Sequence, residues 1–132
     1  MSIELRLLAY SVALLFVLVL FQANAGMQGR TPAMMLGNRD DLPPPSAAAG
    51  RALRAVDNLR ENLWFFAPLV LIAAAMNISN DWTVLGARLF FYGRVAHALT
   101  YLIGIAYVRT LAWLVSVIGC VLIFLALFGV LA

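Results

Sequence analysis

The sequence predicts an all-α integral membrane protein in which four spans pack as a four-helix bundle. Of its 132 residues, 64% are hydrophobic and 11% are charged, and the mean hydropathy is +0.96. Soluble domains are only about half apolar, and about a quarter of their residues are charged. A soluble fold of this length could not bury so much apolar surface, so we expect a single domain with the bilayer as its solvent.

Four long segments of the sequence, each with an apolar stretch, correspond to the four predicted spans. The prolines 43–45 interrupt the chain between the first two runs, because consecutive prolines cannot extend a helix. Ser46 follows them as a predicted N-cap, and Pro68 is expected to bend the second helix. We expect an irregular segment over residues 24–46 and helices over about 3–23, 47–77, 83–107 and 109–130.

A secretory signal peptide is the alternative interpretation of the first run. Ala23-Asn24-Ala25 matches the small-residue pattern of a cleavage site. However, the segment before the run carries the acidic Glu4 beside Arg6, and three more membrane runs follow. With Ile3 to Ala23 included, the run is long enough to cross a bilayer, and a span is favoured.

The charges predict an orientation and argue against nucleic-acid binding, and the single cysteine and histidine argue against a disulfide and a metal site. Every basic residue is an arginine, and most arginines lie on the side that holds the 1–2 and 3–4 connections. The positive-inside rule places that side in the cytoplasm and both termini outside. The arginines are scattered between apolar helices, which does not suggest nucleic-acid binding. Cys120 is the single cysteine and His97 the single histidine, so we expect no disulfide and no metal site.

Two sets of polar residues stand out because ionisable groups at membrane depth suggest function. Arg54, Asn58 and Glu61 are spaced i, i+4, i+7 on the second helix, with Arg51 close to the same face. Such a set is suited to a zwitterionic, peptide-like ligand. The alternative is a solvated amphipathic helix end that carries an Arg–Glu pair.

The second set lies on the third helix within apolar sequence. Arg94, His97 and Tyr101 are spaced i, i+3, i+7 and therefore share a face. The two faces are complementary, and together they predict a polar pocket that opens to the cytoplasm. In the alternative, Arg94 pairs with Glu61, while the histidine and tyrosine only satisfy buried polar groups.

These motifs resemble those of the MAPEG family (membrane-associated proteins in eicosanoid and glutathione metabolism), in a bacterial-type member. The family pattern Arg-Ala-x-x-Asn-x-x-Glu is seen as Arg54-Ala55, Asn58 and Glu61, and an aromatic run follows at residues 64–66. The segment from Arg94 to His97, with residues 101–104, resembles the helix-3 motif. The resemblance covers nearly the whole chain in span number and in the long first and short last connections.

The resemblance implies a homotrimer, located in a bacterial inner membrane, that binds glutathione as cosubstrate between adjacent subunits near the cytosolic side. Arg109 would lie near the arginine that activates the glutathione thiolate, which makes it the candidate catalytic residue. The residues expected to hold glutathione are Arg51, Arg54, Asn58, Glu61, Arg94, His97 and Tyr101.

We therefore expect a glutathione transferase or peroxidase that acts on lipophilic electrophiles, with membrane lipids as further partners. The alternative is a non-enzymatic lipid-binding or scaffold protein of the same fold. Asp57 motivates it, because some glutathione-binding members carry a basic residue there, and so does the spacing between Tyr101 and Arg109. A third hypothesis is a small transporter or channel subunit with Arg94 and Glu61 as a charge relay.

Overall fold

A computed structural model describes residues 1–131. Within that range the chain contains five helices and no strand, so the all-α prediction is confirmed. The helices are α1 (Ile3–Met27), α2 (Pro32–Leu36), α3 (Ala47–Ala75), α4 (Asp81–Ile103) and α5 (Ala106–Leu127).

Side-chain caps begin most of these helices. Ser46 caps α3 as the sequence predicts, because its Oγ accepts a hydrogen bond of 3.2 Å from the backbone N–H of Ala49. Asn80 and Thr83 form a reciprocal capping box at the start of α4. Part of the predicted irregular segment 24–46 is helical, since α1 continues to Met27 and α2 follows a Thr31 cap with proline in its first turn.

The boundary between α4 and α5 lies earlier than predicted. We expected a helix to residue 107, but α4 ends at Ile103 and α5 begins at Ala106. Gly104 has a φ of +94°, a left-handed conformation that ends a helix and favours glycine. The N–H groups of Gly104 and Ile105 both donate to the Thr100 carbonyl at 2.9 Å. Arg109 therefore lies in the first turn of α5.

Close packing of α4 against α5 provides the broadest contact between helices, while α1 packs mainly on α3 and α4. Gly86 of α4 faces Gly119 of α5 so closely that a Cβ on either residue would overlap the backbone of the other. On α3, Phe66 is fully buried and stacks on Phe90 of α4, with the ring centroids 3.8 Å apart. These contacts fix the positions of α3, α4 and α5 relative to one another.

The buried carboxylate of Glu4 joins α1 to the turn between α3 and α4. It accepts hydrogen bonds from the hydroxyls of Ser79, at 2.8 Å, and Thr83, at 2.6 Å. A buried carboxylate is costly unless it is hydrogen-bonded. These bonds therefore hold the N-terminal end of α1 against the start of α4, at the end of the molecule opposite the α4–α5 turn.

Two helices in the described range, α1 and α5, are long and apolar enough to cross a membrane. The helices α3 and α4 have 29 and 23 residues and carry more charged side chains. At 1.5 Å per residue, they extend over about 44 Å and about 35 Å, which exceeds the roughly 30 Å of a hydrocarbon core.

The close approach of α4 and α5 predicts that Gly119→Ala destabilises the protein. The added Cβ would lie 2.8 Å from the Phe90 amide nitrogen, so the helices must separate. Overpacking of this kind costs about 1–3 kcal/mol, and we expect a lower Tm in detergent. Gly26→Ala is the control, since no atom lies within 4 Å of its Cβ position and alanine favours a helix. An unchanged Tm for Gly119→Ala would show that the helices are not so closely packed.

Candidate functional site

Arg94 of α4 lies at the centre of the polar residues, and only 1% of its surface is exposed. Its Nη2 donates to Oδ1 of Asn58 on α3 and lies 3.2 Å from Nδ1 of His97. Its Nη1 donates to the hydroxyl of Ser116 on α5 at 3.5 Å. One side chain therefore joins α3, α4 and α5 in the interior.

Within the described part of the chain, no carboxylate forms an ion pair with Arg94. The one ion pair within residues 1–131 joins Arg60 and Asp57 at 2.7 Å, so the alternative in which Arg94 pairs with Glu61 is wrong. Nε of Arg94 is buried and has no hydrogen-bond partner among the residues that the structure describes. Because the interior screens charge less than water does, this guanidinium contributes positive potential to its surroundings.

A cavity of about 260 Å³, here called the polar pocket, lies beside Arg94 near the α4–α5 turn. In it the Arg109 guanidinium stacks over the Tyr101 ring, with Cζ 4.5 Å from the ring centroid. The rings of His97 and Tyr101 are 5.4 Å apart. The lining consists of Asn58, His97, Tyr101, Arg109, Thr110 and Trp113. All six of these side chains carry polar groups that can donate hydrogen bonds, including the indole N–H of Trp113.

A second cavity of about 610 Å³, here called the apolar groove, runs between α3 and α5. It shares Asn58 and Trp113 with the polar pocket, so the two cavities adjoin. Its polar residues on α3 are Asn58, Glu61 and Asn62, and they come before the apolar α3 residues of the lining in the chain. The rest of the lining is Phe65, Leu69, Trp113, Val117, Cys120, Val121 and Phe124. An apolar ligand in the groove would therefore have one end beside the polar pocket.

The structure brings only some of the predicted site residues together. Asn58, His97, Tyr101 and Arg109 line the polar pocket, with Arg94 behind them and Glu61 in the groove. Arg54 is exposed and lines neither cavity. Arg51 donates from Nε to the Leu102 carbonyl at 3.2 Å, which satisfies one of the free carbonyls at the C-terminus of α4.

The contribution of α5 beyond Arg109 was not predicted from the sequence. Trp113, Ser116 and Cys120 follow Arg109 at i+4, i+7 and i+11. This spacing places them on one helical face, and the structure turns that face towards α3 and α4. The periodicity was present in the sequence, but serine, cysteine and tryptophan in an apolar helix look like ordinary packing residues.

Comparison with known proteins identifies a family. A profile of the MAPEG family matches residues 7–129, nearly the whole chain. The match includes both cavities and the residues around Arg94. No individual curated protein matches the chain.

The hydrogen bond between Asn58 and Arg94 predicts that Asn58→Ala destabilises the protein. The substitution leaves a buried guanidinium without its α3 acceptor, which costs about 1.5–3 kcal/mol for a bond to a charged group. Asn62→Ala, one turn along α3, is the matched control, because its side-chain amide donates to the Asn58 backbone carbonyl at 2.8 Å and, among the described residues, makes no bond to Arg94. Thermal unfolding in detergent should show the larger loss for Asn58→Ala. Equal losses would contradict the central position of the Arg94 bonds.

Proposed function

The chain belongs to the MAPEG family, and we propose that it is a glutathione-dependent transferase or peroxidase acting on lipophilic electrophiles. Its family is one of membrane proteins of glutathione-related and lipid metabolism, and its two apolar helices agree with that setting. The observation that carries the proposal is the junction of the two cavities at Asn58 and Trp113. This junction would bring a polar thiol and an apolar cosubstrate to the same place.

In this proposal, the polar pocket receives the thiol of glutathione. Arg109 lies in the pocket beside Tyr101, and a fixed positive charge near a thiol favours the thiolate. The thiolate sulfur attacks the electrophilic carbon. With an aryl halide, the S–C bond forms as the C–halogen bond breaks, halide leaves, and the thiol proton passes to solvent.

The peptide body of glutathione carries two carboxylates and an ammonium group. Glu61 is the one carboxylate among the side chains that line the two cavities, and we assign it to the ammonium. Asn58 is assigned to the peptide groups, while Arg51 and Arg54 are assigned to the carboxylates, since guanidinium binds carboxylate with paired hydrogen bonds. Because Arg54 is exposed and lines neither cavity, its contribution requires a ligand that extends towards a neighbouring subunit.

We further propose a homotrimer of four-span subunits. Support comes from α3, where Arg54, Arg60 and Glu61 are exposed on a helix that also carries an apolar half. Exposed charges are disfavoured against lipid, so contact with another subunit or with headgroups is expected. The positive-inside rule places the connections α1–α3 and α4–α5, and with them the polar pocket, in the cytoplasm of a bacterial inner-membrane protein.

A second candidate function is lipid binding without catalysis. The size and apolar lining of the groove favour it, as does Asp57, whose negative charge lies next to Asn58 in sequence. Mass spectrometry of the purified protein separates the two candidates. A lipid retained through purification, without any thiol chemistry, supports the second candidate and contradicts the first.

The first prediction for catalysis concerns Arg109→Ala. We expect the rate of glutathione-dependent conjugation of a generic aryl halide to fall by at least about 100-fold. One preorganised group that stabilises developing charge raises kcat by about 10²–10³-fold. Arg88→Ala is the control, since it removes the same charge from an exposed position of α4 outside both cavities. Full activity in Arg109→Ala would remove Arg109 from the mechanism. No glutathione binding to the native protein in calorimetry would remove the proposal as a whole.

A second prediction concerns the apolar groove. Val117→Phe should fill part of it and lower kcat/KM for a long-chain alkyl electrophile by about tenfold or more. Conjugation of a small aryl halide should change little, because that substrate needs only the junction of the cavities. Val115→Phe, on an exposed part of α5 outside the groove, is the control. An equal loss for both substrates would show that the groove does not hold the alkyl chain.

A further inference from the structure

The contact between Arg94 and His97 determines which nitrogen of the histidine can carry a proton. Arg94 Nη2 lies 3.2 Å from His97 Nδ1, and both side chains are buried, with 1% and 3% of their surfaces exposed. A guanidinium has five N–H donors and no acceptor. Nδ1 must therefore be the acceptor of this hydrogen bond, which requires an unprotonated Nδ1.

The remaining proton of the imidazole is then on Nε2. A doubly protonated ring would direct a second N–H at the guanidinium, which destroys the hydrogen bond and brings two positive charges together. The other neutral tautomer, with the proton on Nδ1, loses the bond as well. Of the three protonation states, only the neutral ring with Nε2–H fits the geometry.

Arg94 is held so that it cannot easily release His97. Its guanidinium is bound by Asn58 from α3 and by Ser116 from α5, and these residues belong to helices different from its own. No carboxylate within residues 1–131 draws it away, because the one ion pair there involves Arg60 and Asp57. The orientation of the histidine is therefore set by an interaction that spans three helices.

His97 also lines the polar pocket, where a ligand meets only the part of the ring that Arg94 does not occupy. The lining of this pocket also includes the guanidinium-bearing Arg109 and the hydroxyl-bearing Tyr101 and Thr110. The His97 ring in this state has an N–H donor, the Arg109 guanidinium offers donors alone, and the hydroxyls can donate too. Such a group of donors is suited to an anion.

We propose that Arg94 is a positioning residue that keeps His97 neutral with its proton on Nε2, so that His97 donates a hydrogen bond to an anionic group in the polar pocket. The anion is a thiolate or a carboxylate; its assignment to glutathione rests on the proposed function, but the tautomer does not. In this arrangement His97 is a donor to the ligand and does not accept a proton from it.

Nitrogen NMR of the protein labelled with ¹⁵N-histidine tests the tautomer directly. His97 is the only histidine, so the ring signals need no assignment by mutation. Without any ligand, near pH 7, we expect an unprotonated Nδ1 and a protonated Nε2. A protonated Nδ1, in either the neutral or the charged ring, would overturn the proposal.

Variants separate the positioning effect from general stability. Arg94→Met removes the donor, and we expect the Nδ1–H tautomer or the charged ring to appear in the spectrum. Ser116→Ala removes a weaker bond of the same guanidinium and should keep the native tautomer. If Arg94→Met does not fold, the native spectrum still decides the tautomer. If it folds and keeps the native tautomer, Arg94 does not position His97.

Substitutions of His97 test its use as a donor, with glutathione as the probe in calorimetry. His97→Gln places an amide N–H near the position of Nε2 and should retain most of the affinity. His97→Asn places its amide near Nδ1, and we expect roughly tenfold weaker binding, the value of one hydrogen bond to a charged group. The opposite order would contradict the donor role. If the native protein binds no glutathione, the proposed function fails, whereas the nitrogen spectrum still decides the tautomer.

Discussion

The buried guanidinium of Arg94 determines how the polar part of this molecule is arranged. It is bound to Asn58, His97 and Ser116, so one charge connects three helices and one pocket. Removing a charge from water costs several kcal/mol unless its hydrogen bonds are replaced. The interior supplies three neutral partners and leaves Nε without one. The helices must keep their positions to supply these bonds, which couples the packing to the geometry of the pocket.

The absence of a carboxylate partner for Arg94 within residues 1–131 has a further consequence. In a neutralised pair the positive potential would be largely cancelled, whereas here it extends into a pocket that also contains Arg109. Anions are therefore favoured in the polar pocket by long-range potential as well as by direct hydrogen bonds. The apolar groove beside it provides little polar surface, which keeps the charge-binding region at one end of the combined cavity.

The sequence predicted which side chains share a helix face better than it predicted which side chains form hydrogen bonds with each other. The spacing of Asn58 on one helix and of Arg94, His97 and Tyr101 on another indicated that these side chains would meet, because helical periodicity fixes direction. The spacing could not show that Arg94 bonds to Asn58 rather than to Glu61. This choice depends on how α3 and α4 are rotated about their axes and shifted along them relative to each other. Arg51 was expected to bind a ligand from its position near the same face, and the structure adds a contact that the sequence could not show, from its Nε to the end of α4. The turn at Gly104 was also missed, although its glycine was the available signal.

The most direct test of this account is the ultraviolet difference spectrum of glutathione bound to the purified protein near neutral pH. Free glutathione is mainly a thiol under these conditions, since an ordinary thiol has a pKa of about 8.5. The proposed anion site with Arg109 and the buried Arg94 predicts the absorbance of a thiolate in the complex and its loss in Arg109→Ala. Binding of glutathione that leaves it entirely in the thiol form would contradict the account.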